Sequence, residues 1–179
     1  MPTKYINVNG HVVYMHYAGK TTLPDVIPDF SKGRTVLMIH GAGGNGHTWH
    51  KQIAHLSNAQ SPIAIDLPGH GRSSGVDGMN SIAEYADFVA AFLDALQIKS
   101  AVIAGHSMGG AIAMQTALAH PSRVDGLMLV ATAARFNIPK DRIAAMRDVM
   151  MGRAPQQFTT DAYDLSHANV DVHGPSSTG

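Results

Sequence analysis

Cysteine is absent from the 179 residues. That excludes a disulfide framework and any thiolate metal site. An excess of charge of either sign is also missing: 13 Lys and Arg are balanced by 13 Asp and Glu, for a formal net charge of zero. A nucleic-acid or anionic-membrane footprint needs clustered Lys and Arg, so neither nucleic acid nor membrane is expected as a partner. Long hydrophobic runs are lacking too. Met1-Pro2-Thr3-Lys4 leads into strand-like sequence rather than an apolar signal-peptide core, and no later run is long enough to span a bilayer. A cytoplasmic protein is therefore expected. What is present is globular in character: 45% of residues are hydrophobic, and the length suffices for one domain with a core.

Tyr5 to Val8 and His11 to Tyr17 read as two strands joined by Asn9-Gly10. A type I′ turn needs positive φ at both central residues, and Asn-Gly supplies it. Lys20 to Arg34, rich in Pro, Asp and Lys, reads as a surface loop. Thr35 to Ile39 and Ser61 to Ile65 are short apolar strands, with a short helix from Trp49 to Leu56 between them. Leu67 to Gly75 carries too much Gly and Pro for regular structure. Ser81-Ile82-Ala83-Glu84 is a capping box that opens a helix, with Ile82, Tyr85, Val89, Phe92, Leu93 and Leu96 on one face. A strand over Ala101 to Ala104, a helix over Met108 to His120 and a strand over Val124 to Val130 follow. Pro139 to Met151 reads as helical, with Pro at the tolerated first position. Asp161 to Gly179 has almost no periodic apolar residues and reads as irregular. Strands that are continuously apolar and alternate with helices imply an α/β fold, with a parallel sheet buried on both faces and an antiparallel hairpin at its edge. The expected organisation is a core over residues 1–152 and the start of a lid, or an irregular tail, over 153–179.

The chemistry concentrates at Gly105-His106-Ser107-Met108-Gly109-Gly110, between a strand and a helix. A serine on a sharp strand-to-helix turn, a nucleophile elbow, projects its Oγ above the sheet. Side chains two residues before or after it would clash, which calls for Gly105 and Gly109. Strain of this kind costs on the order of 1–3 kcal/mol. The helix begins directly after Ser107, so its free N–H groups favour a developing negative charge. The Met108 N–H is one natural oxyanion donor. A second is expected from the glycine-rich loop His40-Gly41-Ala42-Gly43-Gly44, and by position it is Ala42. Losing one such donor typically costs about 2.7–4 kcal/mol of transition-state stabilisation.

Three motifs in order, His40-Gly41-Ala42-Gly43, Asp66-Leu67-Pro68-Gly69-His70-Gly71-Arg72-Ser73 and Gly105 to Gly110, make the chain resemble the serine-nucleophile α/β-hydrolase superfamily over roughly residues 5–150. The branch is that of esterases, enol-lactonases, carbon–carbon bond hydrolases and cofactor-free perhydrolases. The resemblance implies a hydrolase acting on an ester-like carbonyl of a small molecule through Ser107 and an acyl-enzyme, with no cofactor and no metal. It also implies an acid after the strand that follows Val124–Val130 and a histidine one strand later, with a lid between. Neither strand is found in the sequence, so the fold is expected to be truncated before its last two strands. Val124–Val130 would then be an exposed apolar edge, open to self-association or to a complementing chain. Three readings stand side by side: an enzyme, a catalytically inactive truncated chain or pseudo-enzyme with a binding role, and one half of a split hydrolase.

Other candidates have plainer readings. Asp161, Asp164, Asp171, His167 and His173 satisfy the chain order of a triad, but no element signal would hold them near Ser107. His106 reads as a packed neighbour of the elbow, His40 as a buried loop organiser, and Asp66 with Arg72 as ties for the loop after their strand. His47, His50 and His55 lack the carboxylate cluster that would make a metal site of them. Met108, Met114, Met146, Met150 and Met151 read as core or lid contacts.

Overall fold

The computed structural model describes residues 1–75 and 78–135 continuously, and residues 141, 144, 145, 148 and 153 singly. The chain divides into two units, Met1–Arg135 and Phe136–Gly179. In the second, residues 141, 144, 145 and 148 are helical, and Arg153 pairs with Asp148 at 3.1 Å. The rest of the expected helix over Pro139–Met151, and the expected irregular stretch Asp161–Gly179, lie outside the described residues.

The first unit is a sheet with helices on both faces. Its strands are β1 (Thr3–Val8), β2 (His11–Tyr17), β3 (Thr35–Ile39), β4 (Ser61–Ile65), β5 (Ala101–His106) and β6 (Val124–Val130). Its helices are α1 (His50–Leu56), α2 (Ile82–Ala95) and α3 (Met108–Ala119), with 3-10 turns at Gly46–Trp49 and Pro121–Arg123. The strand order is β1-β2-β4-β3-β5-β6. β1, β2 and β4 pair antiparallel, whereas β4, β3, β5 and β6 run parallel. This is the mixed sheet with an antiparallel hairpin at one edge that the residue pattern implies.

Local chemistry accounts for the elements. Asn9 and Gly10 both hold positive φ, 49° and 90°, closing the β1–β2 hairpin. Ser81 Oγ accepts from Glu84 N at 3.1 Å and caps α2. The return arm of the capping box differs from expectation. Glu84 Oε2 accepts from Asn80 N at 3.0 Å, one residue upstream of the cap. β5 runs on through Gly105 and His106, beyond the expected Ala104, because the ladder with Leu129 and Val130 holds both in register.

Alternation splits the core in two. Leu37, Ile39, Ile63, Ile65 and Ile103 face α2, with Phe92 and Leu93. Val36, Met38, Ala64 and Ala104 face the other way, with Trp49 and Ile53. A fully buried side chain such as Phe92 or Leu93 contributes about 1.5–3 kcal/mol. β6 departs from this pattern. Leu127, Met128, Leu129 and Val130 are 39–49% exposed. Among the described residues β6 is a terminal strand of the sheet and pairs with β5 alone.

The parallel strands end level. Ile39 lies opposite Ile65 on one side and Gly105 on the other. The segments beginning at His40, Asp66 and Ser107 therefore leave the sheet at one edge, the crevice at the carboxyl ends of the strands where α/β sheets bind ligands.

Candidate active site

Ser107 links β5 to α3 with φ 53° and ψ −116°. An L-residue pays a steric penalty in this region, so the surroundings must impose it. They do so through the backbone: Ser107 N donates to Val130 O at 3.0 Å. A Cβ on Gly105 would run into the carbonyl of Gly109, and one on Gly109 would run into the carbonyls of Ile39 and His40. The two glycines thus let α3 seat directly on the end of β3 and β5. As the first residue of α3, Met108 has no intrahelical acceptor for its N–H. Among the described residues, no hydrogen bond involves Ser107 Oγ.

The loop after β3 lies against this turn. A Cβ on Gly41 would sit 3.2 Å from Ser107 Cβ and 3.0 Å from His106 Nδ1. Gly44 N donates to Gly41 O at 3.0 Å, closing a tight turn with Gly43 at φ 71° and Ala42 exposed at its tip. Beneath it lies His40, which is buried. His40 Nδ1 donates to Gly41 O at 2.7 Å, and Nε2 accepts from Leu67 N at 3.0 Å. This arrangement requires a neutral ring. Burial lowers the His40 pKa from 6.5 to about 4, outweighing the opposing pull of the Gly41 carbonyl. His40 therefore ties the loop after β3 to the loop after β4.

Asp66, also buried, does the same for the segments around it. Its Oδ1 accepts from Gly46 N at 2.7 Å and its Oδ2 from Arg72 N at 2.7 Å. Arg72 contributes its main chain here, while its guanidinium donates to Tyr14 Oη at 2.9 Å. Gly71 is left without a Cβ because one would strike the Asp66 carboxylate.

The remaining candidates fall elsewhere. His106 is half-buried beside Gly41. His47 and His50 stack with ring centroids 4.9 Å apart, and His50 Nδ1 donates to His47 O at 3.1 Å. Among the described residues, no group of three His, Cys, Asp or Glu side chains is placed to hold a metal ion. Asp161, Asp164, His167, Asp171 and His173 lie outside the described residues. A shallow cleft of about 550 Å³, lined by Phe30, Thr35, Lys99 and Asp125 among others, sits at the opposite, amino-terminal end of the parallel strands. The residue that sequence reasoning passed over is Thr132, whose hydroxyl donates to Ser107 O. Its neighbours Ala131, Ala133 and Ala134 carry no polar side chain to draw attention to it.

A family model described as alpha/beta hydrolase fold matches residues 34–173. This chain belongs to that family. It is 32% identical over 142 residues to a pimeloyl-[acyl-carrier protein] methyl ester esterase of Neisseria meningitidis serogroup B, covering 79% of this chain and 51% of the esterase. It is 45% identical over 96 residues to the dihydrolipoyllysine-residue acetyltransferase component of the acetoin cleaving system of Cupriavidus necator, covering 54% and 26%. Among solved structures, a meta-cleavage product hydrolase from Pseudomonas fluorescens superposes with a TM-score of 0.67 at 28% identity, covering 85% of this chain and 52% of that one. The chain thus spans about half, or less, of the length of these relatives. Among the described residues, no helix is long and apolar enough to cross a membrane.

Proposed function

We propose that this chain carries the nucleophile and oxyanion hole of a serine hydrolase acting on a small ester-like substrate. The observation that carries the reading is the conformation of Ser107, at φ 53° between β5 and α3. A serine held in a conformation suited to glycine, with no hydrogen bond to its hydroxyl among the described residues, is a group suited to chemistry. Ser107 Oγ attacks the carbonyl carbon and gives its proton to a base. The oxyanion is held by the N–H groups of Met108 and Ala42. The alcohol leaves with a proton, and water then hydrolyses the acyl-enzyme. None of these steps uses a metal or cofactor. A carboxylic ester as substrate accords with the methyl ester esterase among the relatives.

The base and its orienting acid come from outside the described residues. They belong to the remainder of this chain or to a complementing chain. The apolar, terminal strand β6 favours a chain that docks there, whether a complementing half or a second copy. The same edge supports a second reading, in which the chain binds a partner without catalysis. A serine-directed fluorophosphonate separates the two. Stoichiometric labelling of wild type and none of Ser107→Ala is expected. Labelling of wild type no faster than Ser107→Ala would sink the nucleophile. Native mass measurement checks the partner: a lone chain with full activity excludes it.

A further inference from the structure

We infer that Thr132 is a positioning residue for the elbow: its hydroxyl holds the Ser107–Met108 peptide so that the Met108 N–H is aimed at the carbonyl under attack. The inference rests on the reading of Ser107 and Met108 given above and deepens it. Thr132 Oγ1 donates to Ser107 O at 2.7 Å across 25 residues of sequence. The same carbonyl accepts from Gly110 N at 3.0 Å and Ala111 N at 3.3 Å, bonds that belong to the first turn of α3. Thr132 supplies the bond from outside the helix. A peptide unit is planar and trans, so the Ser107 C=O and the Met108 N–H point in opposite directions. Anchoring the carbonyl therefore sets the direction of the N–H. The restraint matters here because Ser107 occupies no favourable steric well that would fix the peptide by itself.

Three observations show that this contact is built rather than incidental. The chain reaches Thr132 through Ala131 at φ 44°, a left-handed conformation uncommon for a residue with a Cβ. Val130, just before that turn, accepts from Ser107 N. Ser107 is thus held on both flanks by the end of β6 and the residues just after it, its amide by Val130 and its carbonyl by Thr132. Lastly, a Cβ at Gly110 would run into the Cβ, Cγ2 and Oγ1 of Thr132. The third glycine of the elbow run is the space into which Thr132 fits. Thr132 acts through Ser107 and Met108 and is not itself a catalytic residue.

The test uses the full chain as wild type, Ser107→Ala, Thr132→Val and Thr132→Ser. Each is reacted with a fluorophosphonate over a range of concentrations to separate kinact from KI. Thr132→Val keeps the shape and loses the hydroxyl. It is expected to lower kinact about tenfold with KI unchanged, a fraction of the loss seen when an oxyanion donor is removed outright. Thr132→Ser is expected to retain the wild-type kinact. A Thr132→Val variant that labels at the wild-type rate overturns the inference, as do Val and Ser variants that are equally slow. Wild type that labels no faster than Ser107→Ala overturns the nucleophile itself, and Thr132 with it, before any Thr132 variant is read. Should Thr132→Val fail to fold, Thr132→Ala replaces it with the same expected result.

Discussion

Glycine in place of Ser107 should make the protein more stable while removing the proposed nucleophile. The backbone there sits at φ 53°, ψ −116°, where a Cβ costs on the order of 1–3 kcal/mol and glycine costs nothing. Glycine also loosens the unfolded chain, which opposes the gain by about 0.5–1 kcal/mol. The sum favours Ser107→Gly over Ser107→Ala by up to about 2.5 kcal/mol. The comparison with Ala is the informative one. Ala keeps the Cβ and its strain, and both variants lack the Oγ, which makes no hydrogen bond among the described residues. At an ordinary site Ala to Gly lowers stability by about 0.5–1 kcal/mol, so the predicted effect has the opposite sign. Urea denaturation of the two variants at equal m-value reads the difference as a shift in midpoint. A heating scan should show a shift of about 2–4 °C per kcal/mol for a domain of this size. A Gly variant less stable than the Ala variant would refute the claim that Ser107 is strained, and with it the argument that the site stores strain for function.

Gly109→Ala should cost at least about 3 kcal/mol or prevent folding, because the new Cβ meets the backbone carbonyls of Ile39 and His40, which cannot give way. Soluble yield and urea midpoint report this, and a variant as stable as wild type would show that α3 is not seated as described. His40 predicts a loss of stability in mild acid. Its folded pKa of about 4 lies below its ordinary 6.5, so the unfolded chain takes up the proton first as pH falls. The stabilisation is complete above pH 6.5 and is lost progressively as pH falls towards 4, by about 3 kcal/mol in all. Burial lowers the pKa of His16 in the same sense and adds to the trend. His40→Asn should flatten the pH dependence of the urea midpoint by about one proton over this range, and an unchanged slope would count against it. Asp66→Asn places an amide against the N–H of Gly46 or Arg72 and should cost about 2–4 kcal/mol, read as a lower urea midpoint.

Much of this was legible because the chemistry is local. Thr35–Ile39, Ser61–Ile65 and Val124–Val130 are apolar runs bounded by Gly, Pro or polar residues, and their ends fall where the residues indicate. The spacing of Gly105, Ser107 and Gly109 states its own steric problem. What escaped depends on contacts between distant segments. Gly105 and His106 are strand residues only because β6 lies alongside them. Gly46–Trp49 forms a 3-10 turn, rather than the first turn of a longer helix, where Asn45 caps it and Asp66 takes the Gly46 N–H. The Arg72 guanidinium turns to Tyr14, 58 residues away. Thr132 was invisible for the same reason, since its partner is reached only after the left-handed turn at Ala131.

The level ends of β3, β4 and β5 have a consequence for divergence. Ile39, Ile65 and Gly105 share one register line across the sheet, and His40, Asp66 and Ser107 each follow within two residues of it. The points at which the three segments leave the sheet are thus specified by the sheet itself, and the contacts of Val130 and Thr132 then hold Ser107 in place. Chain that lies beyond those strand ends and beyond the contacts of Gly41, Asp66 and Thr132 can lengthen, shorten or change character while the three departure points stay where they are. Relatives that share these three strand ends are free to differ in nearly everything that meets the substrate.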